Sequence, residues 1–150
     1  KVPKPGEYVD YDKQFIENMK SISLDVGEKV ETNHIDKAIK LIMDFSTRCN
    51  QYFQFKEPWT QKTEFSTCLY LCVNAVHTLS LMLAPYLPFS AEKLWKQLGL
   101  TGSVHSACWD SAVQLNLDPG HSVLEAEILF LKIEDEVIDS RSKELEQTSS

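Results

Sequence analysis

A chain of 150 residues, 43% apolar and 25% charged, has the size and composition of one globular domain. At this length roughly 68–70% of the unfolded surface is buried on folding, so a sizeable core is expected. A net charge of −7 excludes a protein that grips DNA or RNA by bulk positive charge, while leaving room for a local site.

The opening residues, "KVPKPGEYVD", are Pro- and Gly-bearing and read as an extended lead-in without the apolar centre of a secretory signal. The first residue is not methionine, and the chain is expected to be a piece of something longer. From Asp10 to about Val26 the apolar positions Phe15, Ile16, Met19, Ile22 and Leu24 predict an amphipathic helix that Gly27 interrupts. A second helix is expected to start at Thr32 or Asn33, both good N-caps, and to run to about Phe55. Its apolar positions Ile35, Ala38, Ile39, Ile42, Cys49 and Phe53 recur at helical spacing, with Lys37, Lys40 and Arg48 on the other side. Pro58 cannot sit inside a helix and biases Glu57 away from helical geometry, so the helix ends just before Trp59.

A third helix, from about Thr63 to Leu83, is apolar almost all round and is expected at the centre of a bundle. Its run "CLYLCVNAVHTLSLMLAPYL" is interrupted by Asn74, His77, Thr78 and Ser80, which argues against a membrane span. After Pro85 and Pro88, Ser90 is expected to cap a short helix that closes at Gly99. Residues 101–123 read as a long, partly ordered loop, and residues 124–139 as an apolar patch leading into an acidic helix. The tail over 142–150 is polar and reads as a linker. No strand pattern persists, so the fold class is all-α, a helical bundle filling residues 1–141.

Catalytic signatures are absent. There is no Gly-rich phosphate loop and no nucleophile elbow. Cys68 and Cys72 share a helix face, but no second pair completes a zinc site, and His77 lies nearly opposite. Three of the four cysteines, Cys49, Cys68 and Cys72, fall in helical apolar patterns, and all four are expected to be reduced thiols of a cytoplasmic protein. The acidic cluster "EDEVID" reads as solvated surface. Periodicity alone would place Trp59, Trp95 and Trp109 in the core.

Three segments, in order, resemble one family. "CNQYFQFKEPW" is similar to the Asn-x-Tyr … Glu-Pro-Trp segment of the anticodon-binding helical domain of methionyl-tRNA synthetases. "LMLAPYLPFSAEKLWKQLGL" and "GHSVLEAEILFLKIEDEVID" are similar to two later stretches of the same domain. The resemblance implies an α-helical domain that reads the CAU anticodon loop of tRNA, has no cofactor of its own, and works with a catalytic domain of the same parent chain that uses ATP and Mg2+. It implies that Trp59, placed by Pro58, stacks on the first anticodon base, with base–aromatic stacking worth about 1–3 kcal/mol. Asn50 matches the family asparagine and either bonds RNA or a neighbour in the bundle; Tyr52 matches the tyrosine and packs. Arg48, Lys56 and Lys62, with Lys37 and Lys40, are the nearest cations and are expected to form a modest positive face. Lys62 falls three residues after Trp59 where the family has lysine four after, and Ile128 stands where the family has proline. The family's catalytic domain and its leading Asn-Leu-x-x-Arg helix are not in this chain. The rival expectation is a helical protein-interaction module with an exposed apolar groove and a buried Trp59.

Overall fold

A computed structural model of the chain describes residues 1–60, 64–131 and 137. It contains α1 (Asp10–Glu31), α2 (Ile35–Lys56), α3 (Phe65–Leu83), α4 (Pro88–Gln97) and two 3-10 turns, Val104–Ser106 and Trp109–Val113. Among the described residues there is no strand, and the all-α expectation holds. The core is made where α1 and α2 pack as neighbours on α3, with α4 and the 3-10 turns closing its far side.

Each helix follows its apolar stripe. On α1 the buried positions are Asp12, Phe15, Met19, Ile22, Ser23 and Val26, spaced by three and four residues. Gly27 does not interrupt this helix, which runs on to Glu31. The glycine serves packing instead: a Cβ there would stand 2.9 Å from the indole nitrogen of Trp109. That indole lies across α1 and donates to the Ser23 carbonyl at 3.2 Å, half-buried rather than fully in the core.

Helix α2 begins one residue after His34, not at Thr32 or Asn33. Asn33 takes a left-handed conformation (φ 57°) that turns the chain out of α1, which a short polar side chain tolerates. Helix α4 begins at Pro88 with Leu87 as its cap, so Ser90 lies inside it. Proline is well suited to a first helical position because its missing N–H has no partner there anyway. Gly99 follows the last turn at φ 72°, as expected for a helix stop.

Residues 101–123 are an ordered strap, not a partly ordered loop. Val104, Ala112 and Leu117 are buried. The polar residues that interrupt the apolar run of α3 hold this strap: Asn74 accepts from the Leu117 amide at 3.0 Å, and Thr78 donates to the Ala112 carbonyl at 3.1 Å. Ser23 of α1 donates to that same carbonyl at 3.0 Å. By length and composition α3 is apolar enough to cross a membrane, but these buried polar contacts suit the centre of a bundle. Residues 124–131 are irregular rather than helical, and the acidic stretch at 134–139 lies outside the described residues except for Val137. At the other end, Val2 is buried and pairs with the strap, its amide donating to the His121 carbonyl and its carbonyl accepting from Gly120, each at 2.8 Å.

His77 of α3 is 2% exposed and its Nδ1 has no hydrogen-bond partner. Burial pushes its pKa down to about 4. An unfolded histidine charges near 6.5, so between pH 6.5 and 4 the unfolded chain binds a proton that the folded one refuses. The contribution of His77 is therefore fully present above pH 6.5 and is lost as pH falls to 4, by about 2–4 kcal/mol. Urea unfolding at pH 7 and pH 4 should show a loss that shrinks by that amount in His77→Leu; equal losses in both proteins would refute it.

Candidate functional site

Helix α2 ends at Lys56, and the way it ends sets the site. Glu57 adopts a left-handed conformation (φ 39°, ψ 57°), uncommon for a residue with a side chain. Its carbonyl accepts from the Thr60 amide at 2.8 Å and from the Thr60 hydroxyl at 2.9 Å. Residues 57–60 thus form a hydrogen-bonded turn with Pro58 second, where its fixed φ fits best. Pro58 is buried, while Trp59 is 59% exposed. The indole leans on Phe53 of the last turn of α2, with ring centres 5.7 Å apart at 59°. The indole is therefore braced on one side by a tilted ring and otherwise open to solvent, so the core placement that periodicity favours does not hold for Trp59.

Asn50 is exposed and lies one turn before Phe53 and Gln54, on the same side of α2 as the Trp59–Phe53 pair. Arg48, two residues earlier, projects from the opposite side, where it donates to the Asn18 side-chain carbonyl of α1. Lys37 and Lys40 are exposed but sit far along α2; Lys40 is about 24 Å of helix from Lys56 at 1.5 Å per residue. Lys62 lies outside the described residues.

Lys56 corrects the expected cation face. It is 3% exposed, with its Nζ 2.9 Å from the buried Asp12 carboxylate and hydrogen-bonded to Glu64. Burial works against its charge, but the bonds to Glu64 and Asp12 outweigh it and hold its pKa above the usual lysine value. Asp12 also accepts from the Tyr52 hydroxyl at 2.7 Å and from the Val9 amide at 3.1 Å. This network ties α1, the last turn of α2 and the entry to α3 behind Trp59. Its signal is present in the sequence: Phe45, Cys49, Tyr52 and Lys56 share one stripe by spacing, and Asp12 opens the facing stripe of α1. The thiols are free; burial pushes Cys49 up to about 12.

Residues 12–145 match the family model described as the anticodon-binding domain of tRNA ligase. The chain belongs to the anticodon-binding domain family of tRNA ligases.

Curated relatives of this anticodon-binding domain include methionine–tRNA ligases. That of Sulfolobus acidocaldarius is 37% identical over 139 residues, covering 89% of this chain and 24% of the relative. That of Parabacteroides distasonis is 34% identical over 154 residues, covering 99% of this chain and 22% of the relative. The chain thus spans about a quarter of the length of the curated relatives it matches. The free-state crystal structure of Mycobacterium tuberculosis methionyl-tRNA synthetase shares its fold, with a TM-score of 0.79 at 24% identity, over 89% of this chain and 28% of that one. The recognition from the three sequence segments, an anticodon-binding helical domain of the methionyl-tRNA synthetase type, stands.

Proposed function

We propose that this anticodon-binding domain reads the CAU loop of methionine tRNAs by stacking the first anticodon base on Trp59. The parent enzyme, using ATP and Mg2+ in its catalytic domain, would then attach methionine to the tRNA in the cytoplasm. The observation that carries this reading is an indole 59% exposed, braced from behind by Phe53 and fixed by the turn at Pro58. A platform held rigid before the base arrives loses little freedom on binding. RNA loops are recognised by such stacking together with contacts to base edges, and Asn50 on the same side supplies an amide for an edge. Arg48 and Lys62 contribute charge, while Lys56 acts from within by holding the end of α2. The overall charge of −7 keeps non-specific attraction to phosphate low.

The rival module requires an exposed apolar groove and a buried Trp59. A groove does run between α2, α3 and α4, lined by Met43, Leu79, Leu83, Leu87 and Phe130. The exposure of Trp59 supports the RNA reading instead. Tryptophan fluorescence titrated with a CAU hairpin, against a hairpin altered at the first anticodon base, tests it. Trp59→Ala is expected to weaken the CAU complex about 5- to 150-fold with an unchanged melting temperature. Equal affinity for the two hairpins would overturn the proposal.

A further inference from the structure

The last turn of α2 presents a second aromatic surface on its other side. Phe55 is 64% exposed and stands 4.2 Å from Tyr11 between ring centres. Tyr11 stacks on Tyr52 at 5.7 Å, Tyr52 on Phe15 at 4.0 Å, and Phe15 on Phe45 at 6.3 Å. Phe55 is thus the outer end of a column of five rings that runs into the core. The column is anchored by the Tyr52 hydroxyl bonded to buried Asp12. Beside it lies a shallow pocket between α1 and α2, lined by Tyr11, Gln14, Asn18, Arg48 and Gln51 over a floor of Phe15 and Tyr52.

We propose that Phe55 and this pocket form a second nucleotide subsite, in which another base of the same RNA loop stacks on the outer face of Phe55 and the adjoining pocket takes its edge and phosphate. The proposal rests on the reading of the domain as an RNA binder, though not on the role of Trp59. A lone exposed phenylalanine would need no explanation. Here the ring is continuous with a rigid stack and adjoins the groups that a base and its phosphate require. A base adds a further π-face to the column and is sequence-tolerant in doing so. Side-chain amides such as those of Gln14 and Gln51 match the donor–acceptor edge of a base, and a guanidinium suits a phosphate or a guanine edge. Asn18 takes one of the five donors of Arg48, so the guanidinium keeps others for a ligand. The Trp59 and Phe55 surfaces lie on opposite sides of one helix, roughly 10–12 Å across. An RNA loop crossing the end of α2 therefore reaches both.

The test places the fluorescent cytosine analogue pyrrolocytosine at the first anticodon position and 2-aminopurine at each other loop position of the CAU hairpin in turn, and follows quenching by the wild-type chain, Trp59→Ala, Phe55→Ala and Gln51→Ala. Two quenched positions are expected, one lost in Trp59→Ala and the other in Phe55→Ala. Phe55→Ala and Gln51→Ala should each weaken the hairpin complex without lowering the melting temperature, the former about 5- to 150-fold. Phe55→Tyr should restore stacking. A position lost only in Phe55→Ala, with Trp59→Ala silent, would uphold the subsite and remove the role of Trp59. Quenching lost only in Trp59→Ala would overturn the subsite and spare the first reading. Should Phe55→Ala unfold, wild-type binding by Gln51→Ala overturns it as well. No quenching at any position would overturn both.

Discussion

Lys56→Met is expected to destabilise the domain by about 3–5 kcal/mol, a fall in melting temperature on the order of 10 °C. The methionine fills the space of the lysine stem, so the loss is electrostatic. Asp12, 1% exposed, would keep its bonds from Tyr52 and Val9 but face no positive charge. An uncompensated buried carboxylate is what makes breaking such a pair far more costly than replacing it whole. Asp12→Leu combined with Lys56→Met should therefore recover a substantial part of the loss, and the double-mutant cycle isolates the coupling. Thermal unfolding of Lys56→Met, Asp12→Leu and the double variant checks it; a loss in Lys56→Met below about 1 kcal/mol would place the network on the level of a surface pair.

Trp95→Ala should cost a similar amount, about 3–5 kcal/mol, typical of truncating a buried large aromatic. Trp95 is 7% exposed and donates its indole N–H to the Thr101 carbonyl at 3.2 Å. It fills a smaller core with Leu81, Ala91, Val104 and Ala112. Its ring also lies 5.4 Å from that of His77. The truncation therefore opens His77 to water, and the acid sensitivity ascribed to that histidine should diminish along with stability. An unchanged melting temperature would show that the pocket relaxes around the missing ring.

The helices were legible because their apolar stripes recur at helical spacing over nineteen or more residues in α1, α2 and α3. The exposed Trp59 was legible only through its neighbours: periodicity counts an indole as core, and it is the proline before it that takes it off the stripe. Gly27 was misread because a glycine in a helix signals either a stop or a close approach, and the approaching partner, Trp109, lies 82 residues further on. Lys56 was misread for a related reason. A lysine on the buried stripe is the exception, and its stabilising partner Asp12 is distant in sequence. The strap over residues 101–123 has no period at all; its order comes from Asn74 and Thr78, which by themselves look like interruptions in an apolar helix.

The pairing of Val2 with residues 120 and 121, and the seating of Trp109 across α1, set an order of events during synthesis. At roughly 5–20 residues per second, the ribosome needs on the order of 6–24 s after making Val2 to deliver its partners. Throughout that interval α1 can be helical and, among the described elements of this chain, is covered by α2 and then α3, while its Gly27 groove stands open. Of the four helices α1–α4, the earliest made is thus among the last to be fully sealed.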